Sequence, residues 1–130
     1  MIFSLNVSLF NDSKVDFLII LAFLLVPPKW IITPLDTDAI IGQNVLIDCQ
    51  ATGYPQPQIW WEHAKAIDSS PAQYQPVISN SHVYTLENGT LIIKESSRKD
   101  DGYYLCHATN GIGSGISKVI KITVHGWSNF

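Results

Sequence analysis

Cys49 and Cys106, the two cysteines of this 130-residue chain, both sit in segments whose apolar residues recur at every second position. Over 44–50, Val45, Ile47 and Cys49 alternate with Leu46, Asp48 and Gln50, the period of a strand with one buried face. Over 103–108, Tyr104, Cys106 and Ala108 take the inward positions and Tyr103, Leu105 and His107 the outward ones. Between them, 58–62 places Ile59 and Trp61 on one face and Trp60 and Glu62 on the other. After the turn signal Asn88-Gly89-Thr90, Leu91 and Ile93 alternate with Ile92 and Lys94. A glycine-rich turn over 110–115 then leads to a last strand, in which Ile120, Ile122 and Val124 alternate with Lys121 and Thr123. Short strands at intervals of about ten residues predict an all-β chain folded as an antiparallel sandwich or barrel. Two cysteines can make neither a four-thiolate zinc site nor, so far apart, a C-x-x-C redox pair. One disulfide or two free thiols remain.

The strand pattern does not cover the whole chain. All 8 glycines and all 7 prolines lie after position 26, whereas 17–26 reads FLIILAFLLV without a polar residue. Ten helical residues span about 15 Å, half a bilayer core, so this run is too short to cross a membrane and has the length of a secretory signal's apolar core. Asp12 and Asp16 outnumber Lys14 before it, and no small-x-small cleavage site precedes Pro27. Residues 1–26 are therefore set apart as an apolar leader, either a signal peptide or a misjoined gene-model start. The folded domain is expected over 27–124, with 125–130 as an unstructured tail. Eleven acidic residues against 8 basic ones, and no basic run, give nucleic acid nothing to bind.

Cys49, Trp61 twelve positions on, and Asp100-x-Gly102-x-Tyr104-x-Cys106 resemble the central pin of an immunoglobulin domain. The Gly53-Tyr54-Pro55 turn without an extra strand pair is similar to the intermediate (I-set) type of adhesion proteins. Val26-Pro27-Pro28-Lys29-Trp30, Gln73-Tyr74-Gln75-Pro76, Asn88-Gly89-Thr90-Leu91 and Gly102-Tyr103-Tyr104-Leu105-Cys106 resemble, more narrowly, the later immunoglobulin domains of the Down syndrome cell adhesion molecule (Dscam) family. The resemblance implies a two-sheet Greek-key sandwich with one inter-sheet disulfide, Cys49 to Cys106, and a core pin of Trp61 and Tyr104. By the chain-entropy model such a bridge contributes roughly 4 kcal/mol, and it implies an oxidising, extracellular compartment.

Further site residues follow. Asn88 heads a glycosylation sequon in an exposed turn; Asn6 and Asn11 also head sequons, but they precede the apolar run and would be lost with a cleaved signal. Where the family has an arginine paired with the aspartate at position 100, this chain offers His82. The expectation is a His82–Asp100 contact that closes the bottom of the sandwich and strengthens as the imidazole gains its proton. The alternative leaves His82 solvated and Asp100 capping the turn before Gly102.

Enzyme chemistry finds no support in the residues. None of His63, His82, His107 and His125 has an i, i+4 partner or an H-E-x-x-H setting, and the 111–115 loop lacks the third glycine of a dinucleotide motif. No cofactor, metal or small-molecule substrate is expected. Function is expected on the surface instead, where Trp60, Tyr103, Leu105 and His107 gather outward as a candidate protein interface. The alternative is that these side chains cover one another, with Val119 and Lys121 beside them. The resemblance implies an extracellular recognition module with protein partners, homophilic in Dscam-like receptors and used there for neuronal wiring. It would reach the membrane only through a parent receptor. The alternative is a secreted single-domain ligand or soluble immune-type binder.

Overall fold

The computed structural model describes residues 13–65 and 73–126. Helix α1, Ser13–Leu24, precedes ten strands: β1 (Val26–Ile32), β2 (Thr37–Ile40), β3 (Val45–Ile47), β4 (Gln50–Tyr54), β5 (Gln58–Lys65), β6 (Gln75–Pro76), β7 (Val83–Thr85), β8 (Leu91–Ile93), β9 (Gly102–Thr109) and β10 (Ile116–His125). One layer is a five-stranded sheet in the order β2-β10-β9-β5-β6. The other consists of β3-β8-β7 and the pair β1-β4. β3 and β4 are successive halves of one run, interrupted at Asp48 and Cys49, where the pairing partner changes from β8 to β1. Of the sandwich and barrel that the alternation left open, this is the sandwich, with the two sheets that the resemblance implies.

Alternation decides what fills the space between the layers. Val45, Ile47 and Cys49 from one sheet meet Trp61, Tyr104, Cys106, Ile120, Ile122 and Val124 from the other, with Leu91 and Ile93 beneath. Cys49 and Cys106 are joined as a disulfide and are fully buried. Trp61 lies directly across from Cys106 in the β5–β9 register, so the indole and the bridge share one inward row. Its Nε1–H donates to Gly89 O at 2.9 Å, satisfying the one polar atom this large side chain brings inside. Glycine is required at 89 because φ is +100° and a Cβ there would run into Cys49 O and the Ile59 side chain.

The N-terminal strands strap both layers. β1 pairs antiparallel with β4, the chain crosses at buried Pro34, and β2 then pairs in parallel with the end of β10. Asn110 ties the start of β1 to the β4–β5 turn, its Nδ2 donating to Val26 O at 2.7 Å and to Pro55 O at 2.8 Å.

Two boundaries differ from the expected ones by single residues. Val26, placed with the leader, opens β1 opposite Tyr54, and His125, placed with the tail, closes β10 opposite Ile40. Both shifts come from pairing partners far away in sequence. The rest of the tail, 127–130, and the Asn6 and Asn11 sequons lie outside the described residues. α1 starts four residues ahead of the apolar run and ends inside it, and Phe17, Leu18 and Phe23 stand more than half exposed on it. Among the described residues no helix is long and apolar enough to cross a membrane.

Candidate protein-binding face

The five-stranded sheet turns a built surface outward. Register places Trp60 opposite His107, Glu62 opposite Leu105, and Leu105 in turn opposite Val119, while Tyr103 faces Lys121. Trp60 stacks on His107 with ring centroids 3.9 Å apart and planes 13° from parallel. The imidazole is fixed from its other side, with Nε2 2.8 Å from Glu62 Oε1. A ring held by a carboxylate at one edge presents a flat, oriented support for the indole. Lys121 Nζ sits 5.7 Å from the centre of the Tyr103 ring and 3.9 Å from Asp101 Oδ1.

Sequence reasoning left two readings for these side chains, and the geometry contains elements of each. Leu105 and His107 are half-buried under their neighbours, whereas Trp60, Tyr103 and Val119 remain 43%, 37% and 45% exposed. The result is an apolar strip with Glu62 and Lys121 at its margins. An aromatic centre with a charged rim is the anatomy of a protein interface.

At the other end of the sandwich His82 and Asp100 meet. His82 Nε2 lies 3.0 Å from Oδ1 and 2.9 Å from Oδ2 of Asp100. Asp100 also accepts a hydrogen bond from Ser97 N at 2.8 Å, so the turn cap of the alternative is present on the same carboxylate, whereas the solvated His82 of that alternative is not. Its backbone oxygen accepts the Tyr104 Oη–H at 2.6 Å. Asp101, the next residue, accepts from Val124 N at 2.8 Å and so pins β10 to the same corner.

His63 belongs to this corner and carried no expectation. It stacks on Tyr104 at 4.1 Å between centroids, with its Nε2 3.4 Å from Asp101 O. The available signal was parity: His63 is the next inward position after Trp61. Burial lowers the His63 pKa, against an opposing pull from the Asp101 backbone contact and the Asp100 charge. Burial likewise raises the Tyr104 phenol far above its ordinary range, with Asp100 and Asp101 adding to it. His63, His82, Lys99 and Tyr104 line one side of an open cleft of about 570 Å³ beside this corner. Among the described residues no cluster of histidine, cysteine and carboxylate side chains could hold a metal ion.

A two-sheet sandwich pinned by a disulfide, an inward tryptophan and a tyrosine two residues before the second cysteine defines a structural class. The family model for the immunoglobulin domain matches residues 27–110. The chain belongs to this family. As an immunoglobulin domain it is 41% identical over 99 residues to the human cell adhesion molecule DSCAM, a match that covers 76% of this chain and 5% of that protein. It is 40% identical over 99 residues to the cell adhesion molecule Dscam1 of Drosophila melanogaster, again over 76% of this chain and 5% of the relative. The immunoglobulin fold superimposes on the crystal structure of the N-terminal eight Ig domains of DSCAM isoform 1.30.30 with a TM-score of 0.69 and 40% identity, over 78% of this chain and 13% of that one. The chain thus spans a small fraction of the length of these curated relatives, both of them cell adhesion molecules.

Proposed function

We propose that this immunoglobulin domain is an extracellular adhesion module that binds protein through the Trp60 face, with a second copy of the same domain as its partner. The observation that carries the reading is the Trp60–His107–Glu62 arrangement: an exposed indole held flat on a ring that is itself anchored. Such pre-organisation lowers the ordering cost of binding, and tryptophan is a residue type that concentrates binding energy. The relation to DSCAM and Dscam1 supports adhesion as the setting. Homophilic contact in a parent cell-surface receptor, serving neuronal self-recognition and axon guidance, is the role that this relation implies. No catalytic step belongs to the reading.

The test displays the chain on beads and scores aggregation. Wild-type beads cluster, and beads carrying Trp60→Ser with Leu105→Ser do not, while the variant still unfolds in one cooperative transition because the core around the disulfide is untouched. Undiminished clustering by the variant would remove this face from the binding function. Association driven by the exposed apolar side chains of α1 would show in that result, since the substitutions leave α1 untouched.

A further inference from the structure

The Asn88 sequon is half surface and half core. Asn88 is exposed, but Gly89 is buried and Thr90 retains only 3% of its exposure. The Thr90 hydroxyl donates to Asp48 Oδ1 at 3.0 Å. Thr90 N donates to Asn88 Oδ1 at 3.0 Å, and Leu86 N donates to Thr90 O at 2.9 Å. Gly89 N is bonded to Leu86 O at 2.9 Å, and Gly89 O accepts the Trp61 indole N–H. Every polar group of the Gly89-Thr90 backbone and the Thr90 side chain is therefore used inside the fold.

A sequon demands Ser or Thr at its third position, which means that the glycosylating enzyme reads that hydroxyl. In the folded domain the hydroxyl is covered, with Thr90 only 3% exposed, and it is engaged as a donor to the exposed Asp48. We propose that Asn88 is an N-glycosylation site that is filled only on the unfolded or partly folded chain, before Thr90 is covered and bonded to Asp48. In the transfer, the Asn88 side-chain nitrogen forms a bond to the anomeric carbon of a lipid-diphosphate-linked oligosaccharide and loses one proton. The bond from that carbon to the diphosphate oxygen breaks, and the lipid diphosphate leaves with the electron pair. The finished fold accommodates the product: Asn88 is exposed, and Thr90 N uses its amide oxygen rather than the nitrogen that bears the sugar. The glycan then stands on the turn between β7 and β8, in the layer opposite the Trp60 face, and leaves that face clear.

The proposal rests on the extracellular reading of the domain, and a test with purified components keeps the two separable. Three substrates are given to a purified oligosaccharyltransferase with lipid-linked oligosaccharide: the oxidised, folded full chain, the same chain reduced and alkylated, and a peptide of residues 84–94. Mass spectrometry follows occupancy at Asn88. The peptide and the reduced chain are modified, and the folded chain is slower by more than about tenfold, because several hydrogen bonds must open together before the hydroxyl is presented. Asp48→Ala, which removes the Thr90 acceptor at an exposed position, speeds modification of the folded chain. Rates for folded and reduced chains within about tenfold of each other overturn the timing. An unmodified peptide overturns the site, and an unchanged rate in Asp48→Ala overturns the role given to Thr90.

Discussion

Removing one oxygen, by Tyr104→Phe, isolates the contribution of the corner where β9 leaves the short turn at Arg98–Asp100. Tyr104 is 1% exposed, and its hydroxyl donates to the backbone oxygen of Asp100, a residue that is itself 5% exposed. Phenylalanine retains the ring, its place in the core and its stacking on His63, so the change removes the donor with little loss of packing. What it leaves is a buried carbonyl without this partner, which costs about 1–3 kcal/mol. Taking about 2 kcal/mol, a domain of this size should lose on the order of 10 °C in Tm. Thermal unfolding followed by circular dichroism measures this. Tyr103→Phe, one residue away on the exposed face, is the control and should shift stability by less than about 0.5 kcal/mol. A second readout comes from alkaline pH. The Tyr104 phenol is raised in the fold, so above about pH 10 the unfolded chain releases this proton while the folded chain keeps it. Wild-type stability therefore falls in that range, the variant has no such proton, and the gap between them narrows. Equal Tm values for Tyr104→Phe and Tyr103→Phe would refute the reasoning.

Two further outcomes follow from the same corner and from the bridge. His63 has a lowered pKa in the fold, so below about pH 6.5 the unfolded state binds the proton more readily and wild-type stability declines toward acid. His63→Phe, which keeps a ring against Tyr104, should flatten the Tm profile between pH 7.5 and 5; parallel profiles would count against burial as the cause. Gly89→Ala keeps the sequon intact but demands a Cβ at φ +100°, against Cys49 O. It should cost about 3 kcal/mol or more, read by denaturant unfolding, and a midpoint close to wild type would contradict that geometry.

What could be read from the sequence followed from parity. Cys49, Trp61, Tyr104 and Cys106 were placed inward by a period of two, and they line the core. The same rule put Trp60 and His107 outward on neighbouring strands. It could not show that they stack, because contact across strands depends on a register set by pairing with residues far along the chain. β1 and β2 were illegible for another reason. Pro27, Pro28 and Pro34 interrupt the alternation, and these strands exist through partners in two different sheets. α1 carries no period at all, since an unbroken apolar run is equally consistent with any regular structure. The His82–Asp100 contact was inferred from family likeness alone. Its coexistence with the Ser97 bond depends on Asp100 Oδ2 meeting both groups while Oδ1 also faces His82, a matter of local geometry that no spacing encodes.

The parallel pairing of β2 with the end of β10 sets how the domain would bear tension. Thr37 to Ile40 lie beside Ile122 to His125 with both strands running the same way. A pull on the chain ahead of β2 and an opposite pull beyond β10 draw the two strands past each other along their length. The hydrogen bonds between them are then loaded together in shear and cannot open in succession as a zipper does. For a module strung between two cells, the order of strands at this edge would make resistance to force a property of the backbone.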